Sequence, residues 1–252
     1  MSDESGPRGP VEWLRWLWTT DHSGVAYVRE VFTSVGAVLA VGLLLFAISG
    51  VWPPMVAVES GSMEPNMTVG ELVFVMDEDR LSPEAAQGET GVVTHQNGRT
   101  AGYQEFSNYG DVIIYRPDNR SGTPIIHRAR LWVADGENWY DRADKDSIGD
   151  AKNCEQLRNC PAPHAGFITK GDNPATNDRY DQVTGLSSPV RPAWIIGTAE
   201  FGVPGLGYVK LCASGNGPCP LYVWSGPATL VELSASTGPA APATTNSTRT
   251  AV

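Results

Sequence analysis

The sequence predicts a mainly β domain tied to a membrane by one N-terminal transmembrane helix. Three observations carry that reading. Residues 31–52 contain no charged side chain. Behind them come short runs rich in Val, Ile and aromatic residues, bounded by Gly, Pro, Asn and Asp, as strands are. No long amphipathic helical period separates those runs. With 252 residues and 41% apolar content, the chain can supply an anchor, tails and one domain with a sizeable core.

The run 31–52 reads VFTSVGAVLAVGLLLFAISGVW. As a helix rising about 1.5 Å per residue it can cross a hydrocarbon layer of about 30 Å. It is longer than the apolar part of a cleaved signal peptide, and a polar, Trp-rich segment precedes it. Arg8, Arg15 and Arg29 lie before the run, whereas Glu59, Glu64, Glu71, Asp77, Glu78 and Asp79 follow it. The positive-inside rule then puts segment 1–30 in the cytoplasm and the rest outside, single-pass in the cell membrane. Trp13, Trp16 and Trp18, with Leu14 and Leu17, suggest a stretch lying at the cytoplasmic interface.

Residues 53–224 are expected to form the extracytoplasmic domain. Its β-like runs are 71–76, 91–94, 111–115, 124–134, 167–170 and 194–201. The polar stretches 82–110 and 142–165 read as insertions between strands. Residues 225–252 are small, polar and Pro-containing, and are expected to be a flexible tail. No second run of roughly 20 apolar residues follows, so a single anchor is expected. Glycosylation sequons begin at Asn66, Asn119 and Asn246, a pattern common by chance.

The net charge is -10, which argues against a nucleic-acid-binding face. Of 18 basic residues only Lys145, Lys152, Lys170 and Lys210 are lysines. Such an acidic, Lys-poor surface suits high salt, where self-repulsion is screened. Cys154 and Cys160, then Cys212 and Cys219, are close in sequence. Outside the cell they suggest two small disulfide loops, with cross-pairing between them open. Their spacings fit zinc ribbons poorly, so neither a metal nor a cofactor is expected.

The stretch Ser60-Gly61-Ser62-Met63-Glu64-Pro65 stands just behind the apolar run. Gly61 admits close backbone approach and Pro65 stiffens the turn, so a hydroxyl is held on a rigid bend. On composition alone a simple turn is the better explanation. A serine hydroxyl becomes a nucleophile only when a neighbour takes its proton. Candidate bases are His127, His95 and His164, while His22 lies before the membrane run.

Ser-Met-x-Pro after a membrane span resembles the nucleophile box of type I signal peptidases. Three later segments resemble further boxes of that family, in order. Gly110-Asp111-Val112-Ile113-Ile114 is similar to its strand box, and Ile125-Ile126-His127-Arg128 to the box carrying the base. Lys170-Gly171-Asp172-Asn173, followed by Asn177-Asp178, is similar to the last box. Bacterial members have Lys before the Arg; His127 here resembles the archaeal and endoplasmic-reticulum type. Joined to the acidic composition, this points to a halophilic archaeon.

The resemblance implies a signal-peptidase-like (LexA-like) β fold and a membrane-bound serine endopeptidase that removes signal peptides from preproteins. Ser62 would be the nucleophile and His127 the general base, an imidazole that needs no desolvation to accept a proton. Asp178 would pair with His127. Asp172 stands as a second acid or loop support, and Asp181 ranks third. Pro174 departs from the family's usual Gly-Asp-Asn-Asn and blurs the loop. The oxyanion hole would use the Ser62 N–H and the Ser60 hydroxyl. Partners would be signal-peptide-bearing preproteins, the lipid bilayer and the translocation channel. Two competing readings are a non-catalytic membrane-anchored accessory or binding protein, and a self-cleaving regulator of the LexA-like kind. The latter use a Ser–Lys dyad in the cytoplasm, which His127 and the anchor disfavour.

Overall fold

A computed structural model describes residues 9–11, 18, 23–118 and 121–215. Trp13, Trp16, His22, Asn119, Cys219, Asn246 and the whole of 225–252 lie outside them, so the expectations for those positions are not addressed.

The first long element is helix α1 (Ser23–Ser49). It starts ahead of the charge-free run and takes in Arg29 and Glu30, because a helix backbone can continue from hydrocarbon into the polar headgroup layer. It stops where Gly50 turns to φ +78°, with the Gly50 N–H on the Phe46 carbonyl at 2.8 Å. Arg80 Nη1 donates to the carbonyls of Ala47 (2.7 Å) and Ile48 (3.2 Å), so helix-end acceptors find a cation. Ser49 is the helix's one buried residue, and Phe32, Val38, Leu43 and Leu44 are exposed. So wide an apolar surface fits a lipid surround.

The domain is built on one six-stranded antiparallel sheet. Its strands are β1 (Met55–Ala57), β2 (Leu72–Met76), β5 (Val112–Tyr115), β6 (Ile125–Val133), β7 (Gly166–Lys170) and β8 (Ile195–Val203), in the order β1-β2-β8-β5-β6-β7. Five of the predicted runs became β2, β5, β6, β7 and β8. The exception is 91–94. Val92 and Val93 are fully buried there, yet the segment is not a strand. The Val93 N–H is taken by the Asp111 carboxylate at 2.7 Å and its carbonyl by the Asp111 N–H at 2.8 Å. A side chain thus occupies the place of a ladder partner.

Both polar insertions are ordered. The first holds α2 (His95–Ala101), capped by Thr94, and the hairpin β3 (Gln104–Glu105) with β4 (Asn108–Tyr109). Gly110 (φ +75°) joins it to β5, and a Cβ there would meet the His95 nitrogen at 2.4 Å. The second folds back on β6 and β7. Trp139, Ile148, Leu157 and Ala162 pack with Leu131, Val133, Ile168 and Tyr180 in one core cluster. The Cys154–Cys160 disulfide closes its turn. Two short α-helices stand in the later part of the chain, α3 (Asp181–Thr184) and α4 (Gly207–Ala213).

Candidate active site

Ser62 sits in a single 3-10 turn, Gly61–Met63, between β1 and β2. Met63 and Met67, both buried, pin the turn into the core, and the Met67 N–H bonds the Met63 carbonyl at 3.0 Å. The loop after β7 clamps the turn from the other side. The Asn173 N–H donates to the Ser62 carbonyl at 2.9 Å, and Asn173 Nδ2 donates to the Gly61 carbonyl at 2.7 Å. Gly171 is needed for that approach, since a Cβ on it would lie 2.5 Å from the Ser62 carbonyl oxygen. Both carbonyls are therefore occupied, and the Ser62 hydroxyl is left to face a cleft.

His127 is on β6, which alternates its side chains across the sheet. It is 4% exposed. Its Nδ1 lies 2.8 Å from Oδ2 of Asp181, whose side chain is 2% exposed. A carboxylate can only accept, so Nδ1 carries the hydrogen, and in the neutral imidazole Nε2 keeps a lone pair. The same Oδ2 accepts from Thr169 Oγ1 at 2.6 Å and from the Tyr115 hydroxyl at 2.9 Å. Three donors thus meet the buried carboxylate and replace the water it gave up.

This corrects the expectation that Asp178 meets His127. The Asp178 side chain is 67% exposed, and its ion-pair partner is Arg179 at 3.5 Å. The reason is local. Asn177, Asp178 and Arg179 form a polar run that stays in solvent, whereas Tyr180 and Val183 flank Asp181 and draw it into the core cluster. The Asn177 N–H closes back on the Asn173 carbonyl at 2.8 Å, so the loop carrying Pro174 curls before it turns inward at Tyr180.

Asp172 goes elsewhere. Arg128 Nε lies 3.0 Å from both of its oxygens, and Asn66 Nδ2 donates to it at 2.8 Å. Burial pushes the Asp172 carboxyl up, but the bonds and charge of Arg128, with Asn66 and Arg130, outweigh it and hold the carboxyl below its ordinary range. The first sequon asparagine is thus committed to Asp172.

Ser60 is exposed, and its Oγ lies 3.3 Å from Ser62 Oγ. Ser62 and His127 line the same cleft of about 360 Å³, whose walls include Ala57, Met63, Ile126 and Leu186. No hydrogen bond joins Ser62 to His127 among the described residues. His95 and His164 are not in this cleft; His164 Nε2 is 3.2 Å from Ser188 Oγ. Among the described residues no cluster of His, Cys, Asp or Glu could hold a metal ion.

The sequence reading missed Tyr115, Thr169 and Asn173 as contributors. Thr169 and Tyr115 stand on strands at positions facing the core, where a lone hydroxyl must find a partner; that was the usable signal.

No family model matches the chain. Curated proteins do. The signal peptidase complex catalytic subunit SEC11 of Eremothecium gossypii is 30% identical over 163 residues, 65% of this chain and 67% of that protein. The subunit of the same name from Aspergillus oryzae is 26% identical, covering 69% of this chain and 71% of that protein. That from Lachancea thermotolerans is 25% identical, covering 72% and 76%. These relatives are eukaryotic, and they lend the archaeal and halophilic expectations no support.

Proposed function

The chain belongs to the family of signal peptidase complex catalytic subunits, and from that membership we propose that it is a serine endopeptidase acting on signal-peptide-bearing preproteins at a membrane surface. In this reading Ser62 attacks the scissile carbonyl and His127 Nε2 takes its proton. Asp181 fixes the imidazole by its Nδ1 and stabilises the cation that forms. The Ser62 N–H and the Ser60 hydroxyl receive the developing oxyanion. Closing of the Ser62–His127 contact would accompany peptide binding.

The observation that carries the proposal is the buried His127–Asp181 pair opening on the cleft that also holds Ser62. Strand pairing supports the substrate mode. The β6–β7 ladder ends at Arg128↔Lys170, so residues 125–127 run past β7 along the cleft. An extended peptide could add there as a strand, with small side chains against Ala57 and Ile126. Ser62 follows closely on α1, which suits a bond cut where a signal peptide leaves the membrane. The N-terminus would lie in the cytoplasm and the domain outside, with the translocation channel as neighbour.

The test is Ser62→Ala in the full chain, reconstituted in membranes with a preprotein. Cleavage should fall to background while expression, insertion and melting temperature stay unchanged. Retained turnover would remove Ser62 from the mechanism.

A further inference from the structure

A second cleft, of about 380 Å³, lies between α2, β6 and the segment 142–144, and shares no residue with the Ser62 cleft. Arg99, Arg130 and Arg142 line it from three separate pieces of chain. In a protein of net charge -10, such a gathering of guanidinium groups is a local reversal of field. Arg130 is the informative member. It stands at the bulge of β6 between Ala129 and Leu131, and most of its side chain is covered. Yet it makes no hydrogen bond and no ion pair among the described residues. No fully buried side-chain nitrogen lacks a partner, so the Arg130 nitrogens open on the cleft.

Two other charged groups in the cleft, Arg142 and Asp144, are already engaged. Arg142 donates to Glu137 at 2.5 Å and to Gln96 at 3.1 Å. Asp144 offsets one positive charge and accepts the Asp146 N–H at 3.1 Å. Burial lowers the Arg130 pKa, and burial followed by Arg130 and Arg128 holds the His95 imidazole down to about 4. His95 is therefore neutral at physiological pH and can donate one N–H without adding charge.

We infer that this cleft binds a phosphate-class oxyanion, with Arg130 as its central ligand and Arg99 as its outer one. A planar carboxylate is satisfied by one guanidinium fork, whereas donors converging from β6 (Arg130) and from α2 (Arg99 and His95) suit a tetrahedral polyanion. The source could be a free phosphate ester or a lipid headgroup, which share that chemistry.

The experiment titrates inorganic phosphate against the full chain in detergent, with chloride matched for ionic strength. Melting temperature should rise saturably with phosphate and not with chloride. The His95 imidazole, followed by NMR, should titrate at higher pH once the anion is bound. Arg130→Gln should abolish both responses while preprotein cleavage persists. Arg99→Gln, an exposed change that spares the fold, should weaken phosphate about tenfold, the worth of one charge-assisted bond. Phosphatidylcholine vesicles with and without phosphatidate separate the sources. Displacement of phosphate by phosphatidate assigns the cleft to a headgroup, and its absence assigns the cleft to a soluble ester. Either result upholds the site. Equal stabilisation by chloride, or an undiminished phosphate response in Arg130→Gln, overturns it.

Discussion

His127 and Arg128 are neighbours on β6, and each holds an aspartate from the chain after β7, but the two pairs differ in everything around them. The His127–Asp181 pair is buried on one face of the sheet, tied to Tyr115 and Thr169, and opens on the Ser62 cleft. The Arg128–Asp172 pair lies on the other face. It reaches the Glu105 carbonyl at 2.9 Å, the Gly110 carbonyl and Asn66, and none of its atoms lines that cleft. The first pair joins an imidazole, which can take up a proton and give it back, to a carboxylate. The second joins a permanent cation to a carboxylate and so can only hold parts together. One strand, by alternating its faces, thus separates chemistry from bracing.

The largest expected effect breaks the first pair. Asp181→Asn should lower turnover by about 10⁴ under the proposed mechanism, because the amide favours the wrong imidazole tautomer and the cation loses its partner. Asp178→Asn, made in parallel, should leave turnover near wild type, since that side chain is 67% exposed and touches Arg179. Steady-state cleavage of a preprotein by both variants decides it. The assignment of Asp181 fails if Asp178→Asn is the inactive one.

Breaking the second pair should act on stability instead. Arg128→Met strands the Asp172 carboxylate, and removing one partner of a buried ion pair costs about 3–5 kcal/mol. Turnover would fall too, because Asp172 and Asn173 share the loop that clamps the Ser62 turn. Urea unfolding separates the cases. A variant that loses activity but keeps its midpoint would move Arg128 from bracing to chemistry.

How much of this was legible in the sequence follows from the same contrast. His127 and Arg128 could be placed because their segment resembles the family's base-carrying box, and the β-like run 124–134 sets them on a strand. The acids could not be assigned, because pairing depends on the path of the loop 171–180, which is fixed by tertiary bonds such as Asn177 to Asn173. Asp178 matched a spacing, whereas Asp181 matched a burial pattern, between Tyr180 and Val183. The strand at 91–94 failed similarly: β propensity is visible in two valines, but not that the Asp111 side chain takes a ladder position. The edge strand β1 and the hairpin β3–β4 are too short to leave a period.

A smaller effect is expected from the excursion behind Asp181. Its core includes Trp139 edge-on to Tyr180, with centroids 6.0 Å apart, and the Cys154–Cys160 disulfide closes a loop of sequence separation 6. Changing both cysteines to Ser should cost about 2 kcal/mol by freeing the unfolded chain, given so short a loop. Turnover should hold, because Asp181 keeps its three donors. A large fall in activity at unchanged stability would show that the excursion sets the geometry of the first pair.

The smallest effect uses pH to read the neighbourhood of the second pair. Asp172 is held below the ordinary carboxylate range, so its contribution is present above that range and is lost as pH falls through the lowered value. Its neighbours run the other way. Burial, then Glu200 and Asp111, push Glu105 up to about 7. Burial pushes Asp111 up to about 6 against the bonds from Val93 and Tyr103. A carboxyl raised in the folded state favours folding while protonated, and that advantage disappears as pH rises through the raised value. Melting temperature should therefore decline from about pH 4 to about pH 7, a window set by these two groups. Glu105→Gln should flatten the decline by removing one titrating group, and Glu200→Gln should shift it to lower pH-sensitivity by removing the charge that opposes ionisation of Glu105. Asp178→Asn, exposed and remote in its bonding from both pairs, should leave the slope as it is. A melting temperature that climbs steadily across the same window in the wild type would contradict the raised carboxyls and leave Asp172 as the group that governs this face.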